Sequence, residues 1–200
     1  SSVAITPDSR WLVLASGDNG IRLWNLTSES PGRSEVIVGE QMSLVHGVIV
    51  SPDSRWLATA NADGTACLWD LGAKDLAGAS IVLRGHRSPI SAVAISPDSR
   101  WLVTGSEDRT ARLWDLSAKA PASSSIVLRG HKDPLTAVTI SPDSGWLVTM
   151  SWDGTARLWD LRLDRLVDLA CRTAGRNLTK AEWEQYLGSQ PYQKTCSEPF

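Results

Sequence analysis

Tryptophan recurs in this chain at a fixed interval, and that interval limits the fold more than any other feature. Trp11, Trp56, Trp101 and Trp146 stand 45 residues apart, and so do Trp24, Trp69, Trp114 and Trp159. The same period carries Pro7-Asp8-Ser9, Pro52-Asp53-Ser54, Pro97-Asp98-Ser99 and Pro142-Asp143-Ser144. Residues 81–116 and 126–161 differ at only nine of 36 positions. A period of this length marks an array of small supersecondary units that bury one another by stacking. The aromatic composition agrees: 10 Trp stand against 2 Tyr and 1 Phe.

Within a unit, short apolar runs alternate with turn signals. In the third they are Ile81-Val82-Leu83, Ser91 to Ile95, Trp101 to Thr104 and Thr110 to Leu116. Pro97-Asp98-Ser99 separates the second run from the third, and Glu107-Asp108-Arg109 separates the third from the fourth. The counterparts of that last turn, Asp63-Gly64 and Asp153-Gly154, are hairpin dipeptides. The runs are β-branched-rich and too short for helices, so each unit is expected to be a four-stranded antiparallel blade. The expected units are 1–28, 36–71, 81–116 and 126–161, an all-β region over 1–161. It contains four strand triplets but only three connecting outer strands. An open ring exposes strand edges and an apolar face. Either further blades stand upstream in a longer polypeptide, the reading favoured by a start in mid-blade, or two chains pair into an eight-bladed ring.

Leu-Trp-Asp-Leu at 68–71, 113–116 and 158–161, Leu-Trp-Asn-Leu at 23–26, and Gly-His at 85–86 and 130–131 resemble the WD-repeat β-propeller family. The resemblance implies a structural role for a set repeated in each intact unit: His86, Ser106, Asp108 and Trp114, then His131, Ser151, Asp153 and Trp159. A Ser-His-Asp triad is a single constellation with one exposed nucleophile, whereas this set recurs blade after blade. It is read as a hydrogen-bonded network that satisfies buried polar groups and fixes blade geometry. In the second unit Glu40-Gln41 replaces Gly-His and Asn61 replaces the serine, so a weaker network is expected there.

After Leu161 the period changes. Leu163, Leu166, Val167, Ala170, Cys171 and Ala174 form an amphipathic helical stripe ending at Gly175. Thr179 and Glu182 form a capping box for a second helix, with Leu178 and Trp183 as its hydrophobic staple. Residues 162–200 are thus expected to be a two-helix tail ending in coil. The strings Asp168 to Thr179 and Glu182 to Leu187 resemble tails that close WD-repeat arrays in large bacterial signalling proteins, which often carry an NTPase or caspase-like domain upstream. That resemblance implies a bacterial, cytoplasmic sensor or scaffold.

The resemblance also implies a narrow face that grips proteins or peptides, lined here by His46, Pro89, Ser91, Glu107, Pro134, Thr136 and Trp152, with Leu44, Gly17 and Ala62 beside them. Gly17, Ala62 and Glu107 hold the position of Trp152 in the other blades, so the fold does not require an indole there. Trp152 is either an interface anchor or a cover for a neighbouring loop or the tail.

Other functions find little support. Lys+Arg 20 against Asp+Glu 22 leaves no basic excess for nucleic acid, and no apolar stretch approaches the ~20 residues of a membrane-spanning helix. His46, His86 and His131 fall on different blades at offsets unlike a metal site. No glycine-rich phosphate loop or unrepeated nucleophile is present, so neither an enzyme nor a cofactor is expected. Cys67 is read as a small apolar filler, and Cys171 and Cys196 either cross-link or, as a reducing cytoplasm favours, stay free thiols.

Overall fold

The computed structural model describes residues 2–16, 20–39, 43–76, 78, 80–123, 125–162 and 179. Among these residues fifteen strands form four antiparallel sheets in chain order. The first blade holds β1 (Ser2–Ile5), β2 (Trp11–Ser16), β3 (Gly20–Asn25) and β4 (Glu35–Val38). The second holds β5 (Val45–Val50), β6 (Trp56–Asn61), β7 (Ala66–Asp70) and β8 (Ser80–Leu83). The third holds β9 (Ile90–Ile95), β10 (Trp101–Ser106), β11 (Thr110–Asp115) and β12 (Ser125–Arg129). The fourth has three strands among the described residues: β13 (Leu135–Ile140), β14 (Trp146–Ser151) and β15 (Ala156–Asp160). The chain divides into two compact units, 1–159 and 160–200. The expected tail helices lie outside the described residues.

The described residues hold four triplets and three outer strands, but repeats and blades are offset by one strand. The apolar run that opens a repeat pairs with the triplet before it, as Ile126 with Leu113 and Ile81 with Leu68. Among the described residues the blade with one strand fewer is therefore the last rather than the first. This interlocking ties each repeat to its predecessor by a full ladder of backbone hydrogen bonds.

Alternation along the strands gives the blades two apolar faces, and facing pairs of these pack at the junctions. At the first junction Trp11, Val13, Ala15, Ile21 and Leu23 meet Leu57, Trp69 and Leu71. At the second, Trp56, Ala58, Ala60, Ala66 and Leu68 meet Leu102, Trp114 and Leu116. One set is the other shifted by one period. Trp69 and Trp114 are 1% exposed, which accounts for an indole at that position in every unit.

The Pro-Asp-Ser turns do more than break strands. Ser9, Ser54, Ser99 and Ser144 adopt φ of 56–61°, a left-handed conformation costly for a residue with a Cβ. The hydroxyl explains serine rather than glycine there. Ser54 Oγ accepts from the Asp8 N–H at 3.0 Å, Ser99 Oγ from Asp53 N–H at 3.1 Å and Ser144 Oγ from Asp98 N–H at 3.2 Å. Each of these turns is thereby fastened to the preceding blade. The adjacent Arg10, Arg55 and Arg100 lie over Trp11, Trp56 and Trp101, with 5.5, 4.8 and 5.0 Å to the ring centroids. They are cation–π lids.

Candidate functional site

The polar network forms in the third and fourth blades, with one correction to its membership. His86 Nδ1 lies 2.9 Å from Asp108 Oδ2, and His86 Nε2 lies 2.8 Å from Thr104 Oγ1. Trp114 Nε1–H donates to the same Thr104 Oγ1 at 3.1 Å. One period later His131, Asp153, Thr149 and Trp159 repeat this with distances of 3.2, 2.8 and 3.0 Å. The strand hydroxyl that joins histidine to tryptophan is thus threonine, not Ser106 or Ser151. Ser106 instead donates to Ser88 O at 2.9 Å and accepts from Asp108 N–H at 3.1 Å, and Ser151 does the same with Asp133 O and Asp153 N–H. Each serine ties a hairpin turn to the preceding loop. Periodicity alone does not separate the two positions, since the serine position breaks once, at Asn61, and the threonine position once, in the first unit.

These bonds fix the protons. Thr104 Oγ1 accepts from Trp114 and donates its one proton to His86 Nε2, so His86 carries its proton on Nδ1 and donates to Asp108. Burial pushes the His86 pKa down and keeps the ring neutral, against the opposing pull of Asp108. Burial pushes the Asp108 carboxyl up, but hydrogen bonds from Thr110, the Arg87 N–H and His86 outweigh it and leave it below its usual range. Asp153 is held well below the usual carboxylate range, chiefly by the Thr155 hydroxyl and the Lys132 N–H. The His86 side chain is fully enclosed, and no serine hydroxyl touches it. The hydroxyl that does meet the base, Thr104 Oγ1, is fully buried and is bound by the Trp114 indole, and the same set recurs one blade later, so the set is built as a structural network rather than around one exposed nucleophile.

The second blade shows the network dismantled. Among the described residues, buried Thr59 Oγ1, Asn61 Oδ1 and Trp69 Nε1 have no hydrogen-bond partner. Glu40-Gln41, in the Gly-His place, lies outside the described residues. Asp63 still caps its turn through the N–H and hydroxyl of Thr65, at 2.9 and 2.7 Å, and the blade keeps its four strands. In the first blade the threonine position is Leu14.

The face carrying these turns is shaped by β-bulges. Register shifts between Val45 and Gly47, near Ser106 opposite Ile90, and between Leu135 and Ala137 leave His46, Ser91 and Thr136 as the extra residues of the innermost strands. A bulge re-aims its side chain. His46 Nδ1–H donates to Ile90 O at 3.0 Å and Ser91 Oγ–H to Leu135 O at 2.6 Å, each reaching the next blade. The turn residues are also pinned: Glu107 N–H donates to Pro89 O and Trp152 N–H to Pro134 O, both at 3.0 Å.

At the junction of the third and fourth blades these residues enclose a cavity of about 340 Å³ lined by Ser91, Glu107, Pro134, Leu135, Thr136 and Trp152. It unites five of the seven expected face residues. His46 and Pro89 stand at the preceding junction and do not line it; Gly17 lies outside the described residues. Leu135 is the lining residue that sequence reasoning missed, because a strand residue 1% exposed gives no surface signal. Trp152 is 77% exposed, so no described loop buries it. Among the described residues no three His, Cys, Asp or Glu side chains gather as metal ligands, and no helix is long and apolar enough to cross a membrane. Cys67 is buried, and burial raises its thiol pKa.

Radially repeated antiparallel blades, with repeated His-Asp turns locked to strand threonines and tryptophans, define a β-propeller repeat protein. The WD domain, G-beta repeat family matches residues 1–25, 34–70, 79–115 and 122–160, and the chain belongs to that family. No curated protein matches the chain. WD40 repeats are protein-interaction modules, typically without catalytic function.

Proposed function

We propose that this chain is a non-catalytic module that binds protein or peptide at the junction of its third and fourth blades, as the C-terminal sensor or scaffold part of a larger bacterial signalling protein of the cytoplasm. The observation that carries the binding reading is the cavity beside Trp152, where an exposed indole sits on a pinned turn at a position other blades fill with Glu107 or Ala62. Exposed tryptophan beside a preformed cavity is the usual composition of an interface anchor. The signalling context rests on the likeness of 168–187 to tails that close such arrays in bacterial proteins. The test is peptide selection on the immobilised chain. Binders that lose at least about tenfold in affinity to Trp152→Ala support the reading, and binders indifferent to it count against the site.

A second surface bears on ring closure. Val3, Leu12, Leu14, Trp24, Leu26, Pro31 and Gly32 line an apolar groove of about 420 Å³ on the first blade. The counterparts of Leu12, Trp24 and Leu26, namely Leu57, Trp69 and Leu71, are buried against a neighbouring blade. This groove supports a neighbouring blade in cis or in a second copy. Native mass spectrometry of the protein as isolated separates the two by whether an eight-bladed species dissociates into 200-residue chains.

A further inference from the structure

We propose that the cavity between the third and fourth blades takes a cationic side chain, lysine or arginine, of a partner peptide. This rests on the reading of that face as a peptide-binding surface, and adds the chemistry of the residue that enters. A volume of about 340 Å³ sits at the lower end for ligand cavities, the size for one long side chain.

The lining is selective by charge. Glu107 is its only ionisable residue; it is exposed, and its carboxylate has no hydrogen-bond or ion-pair partner among the described residues. Across the same cavity lies the indole of Trp152, 77% exposed. An indole face attracts a cation through its quadrupole, and a carboxylate does so through charge-assisted hydrogen bonds. A neutral side chain gains only apolar contact here, and an acidic one is repelled. The remaining polar groups suit a donor-rich guest: the Ser91 proton is already given to Leu135 O, leaving its oxygen as an acceptor, and the Thr136 hydroxyl has no partner among the described residues.

The pairing is particular to this junction and held in place. By the 45-residue period the preceding junction offers Ala62 and Glu107 in the two turn positions, which supplies a carboxylate without an aromatic face. Here Glu107 and Trp152 are both anchored through their backbone N–H groups to Pro89 and Pro134 carbonyls at 3.0 Å. Little backbone ordering remains to be done when a guest enters.

The experiment selects peptides by phage display on the 200-residue chain and measures the winners by fluorescence anisotropy. Aligned winners are expected to share one lysine or arginine. Replacing it by norleucine or citrulline, or making Glu107→Gln, is expected to weaken binding about tenfold, the worth of one charge-assisted contact. Glu107→Lys abolishes binding, and added salt weakens it. Both side chains are exposed, so an unchanged thermal midpoint shows that the variants fold. Winners that need Trp152 but tolerate the neutral replacements and Glu107→Gln overturn the cation assignment and leave the broader reading standing. Winners indifferent to Trp152 overturn both.

Discussion

Threonine to valine at one position of the repeat should have opposite consequences in adjacent blades. Thr104 is fully buried, and its hydroxyl serves both His86 Nε2 and Trp114 Nε1. Valine keeps the shape and removes the oxygen, so two buried polar nitrogens lose their partner. Each such orphan costs about 1–3 kcal/mol, which places Thr104→Val at roughly 2–4 kcal/mol of destabilisation if the blade relaxes in part. For a chain of this length that lowers Tm by about 5–15 °C. One blade earlier Thr59 is equally buried, but among the described residues its hydroxyl has no partner, and neither does Trp69 Nε1. Thr59→Val therefore breaks no hydrogen bond and removes an unsatisfied buried hydroxyl, a change that is neutral or stabilising by up to about 1 kcal/mol. The assay is urea denaturation followed by tryptophan fluorescence, comparing midpoints at unchanged slope. Equal destabilisation by the two substitutions would refute the reasoning, since it would mean that the Thr59 hydroxyl is satisfied after all.

Restoring the histidine, Glu40→Gly with Gln41→His, should stabilise the second blade by about 1–3 kcal/mol and turn Thr59→Val from neutral to destabilising, read in the same denaturation assay. Stability should also fall with acid in two windows. His86 has a folded pKa below its unfolded value near 6.5, so the unfolded chain binds the extra proton and stability declines as pH drops below about 6.5. Asp108 has a folded pKa below 3.8, so its contribution is complete above that value and is lost as pH falls further toward the folded pKa. Thermal melts from neutral to acid pH check this, and a midpoint that stays level from pH 7 to 5 would contradict the buried neutral His86. Gly105→Ala should cost about 1–3 kcal/mol by overpacking, because a Cβ there would stand 2.9 Å from Val138 Cγ1 in the next blade. A melting temperature within error of the parent would show that β13 yields freely.

Much of this fold was legible in one dimension because the repeat is both its structural unit and its packing unit. The 45-residue tryptophans marked the blades, and the hairpin dipeptides placed the turns, where Gly64 and Gly154 take φ of 79° and 76°. Which residues share the face carrying the hairpin turns also followed, since a period carries a residue's place from blade to blade. Three features did not follow. The strand offset depends on which neighbour an outer strand pairs with, and Ile126 reads the same whether it joins the blade before or after it. The choice of Thr104 over Ser106 depends on cross-strand distance, because both hydroxyls lie on one face of β10 and only one comes within reach of the Trp114 indole. The cavity depends on bulges at Ser91 and Thr136 that bring residues from two blades around one space.

Local chemistry and periodicity thus determined what each residue offers: strand, turn, apolar face, buried donor, exposed indole. Which offers meet was decided in three dimensions. The 2.8 Å contact between His86 and Thr104 joins groups 18 residues apart, and Glu107 and Trp152 share a cavity across 45. Such meetings require strands to pair in one register and blades to stack at one spacing, and hydrogen bonds form or fail over tenths of an ångström that a sequence period does not encode.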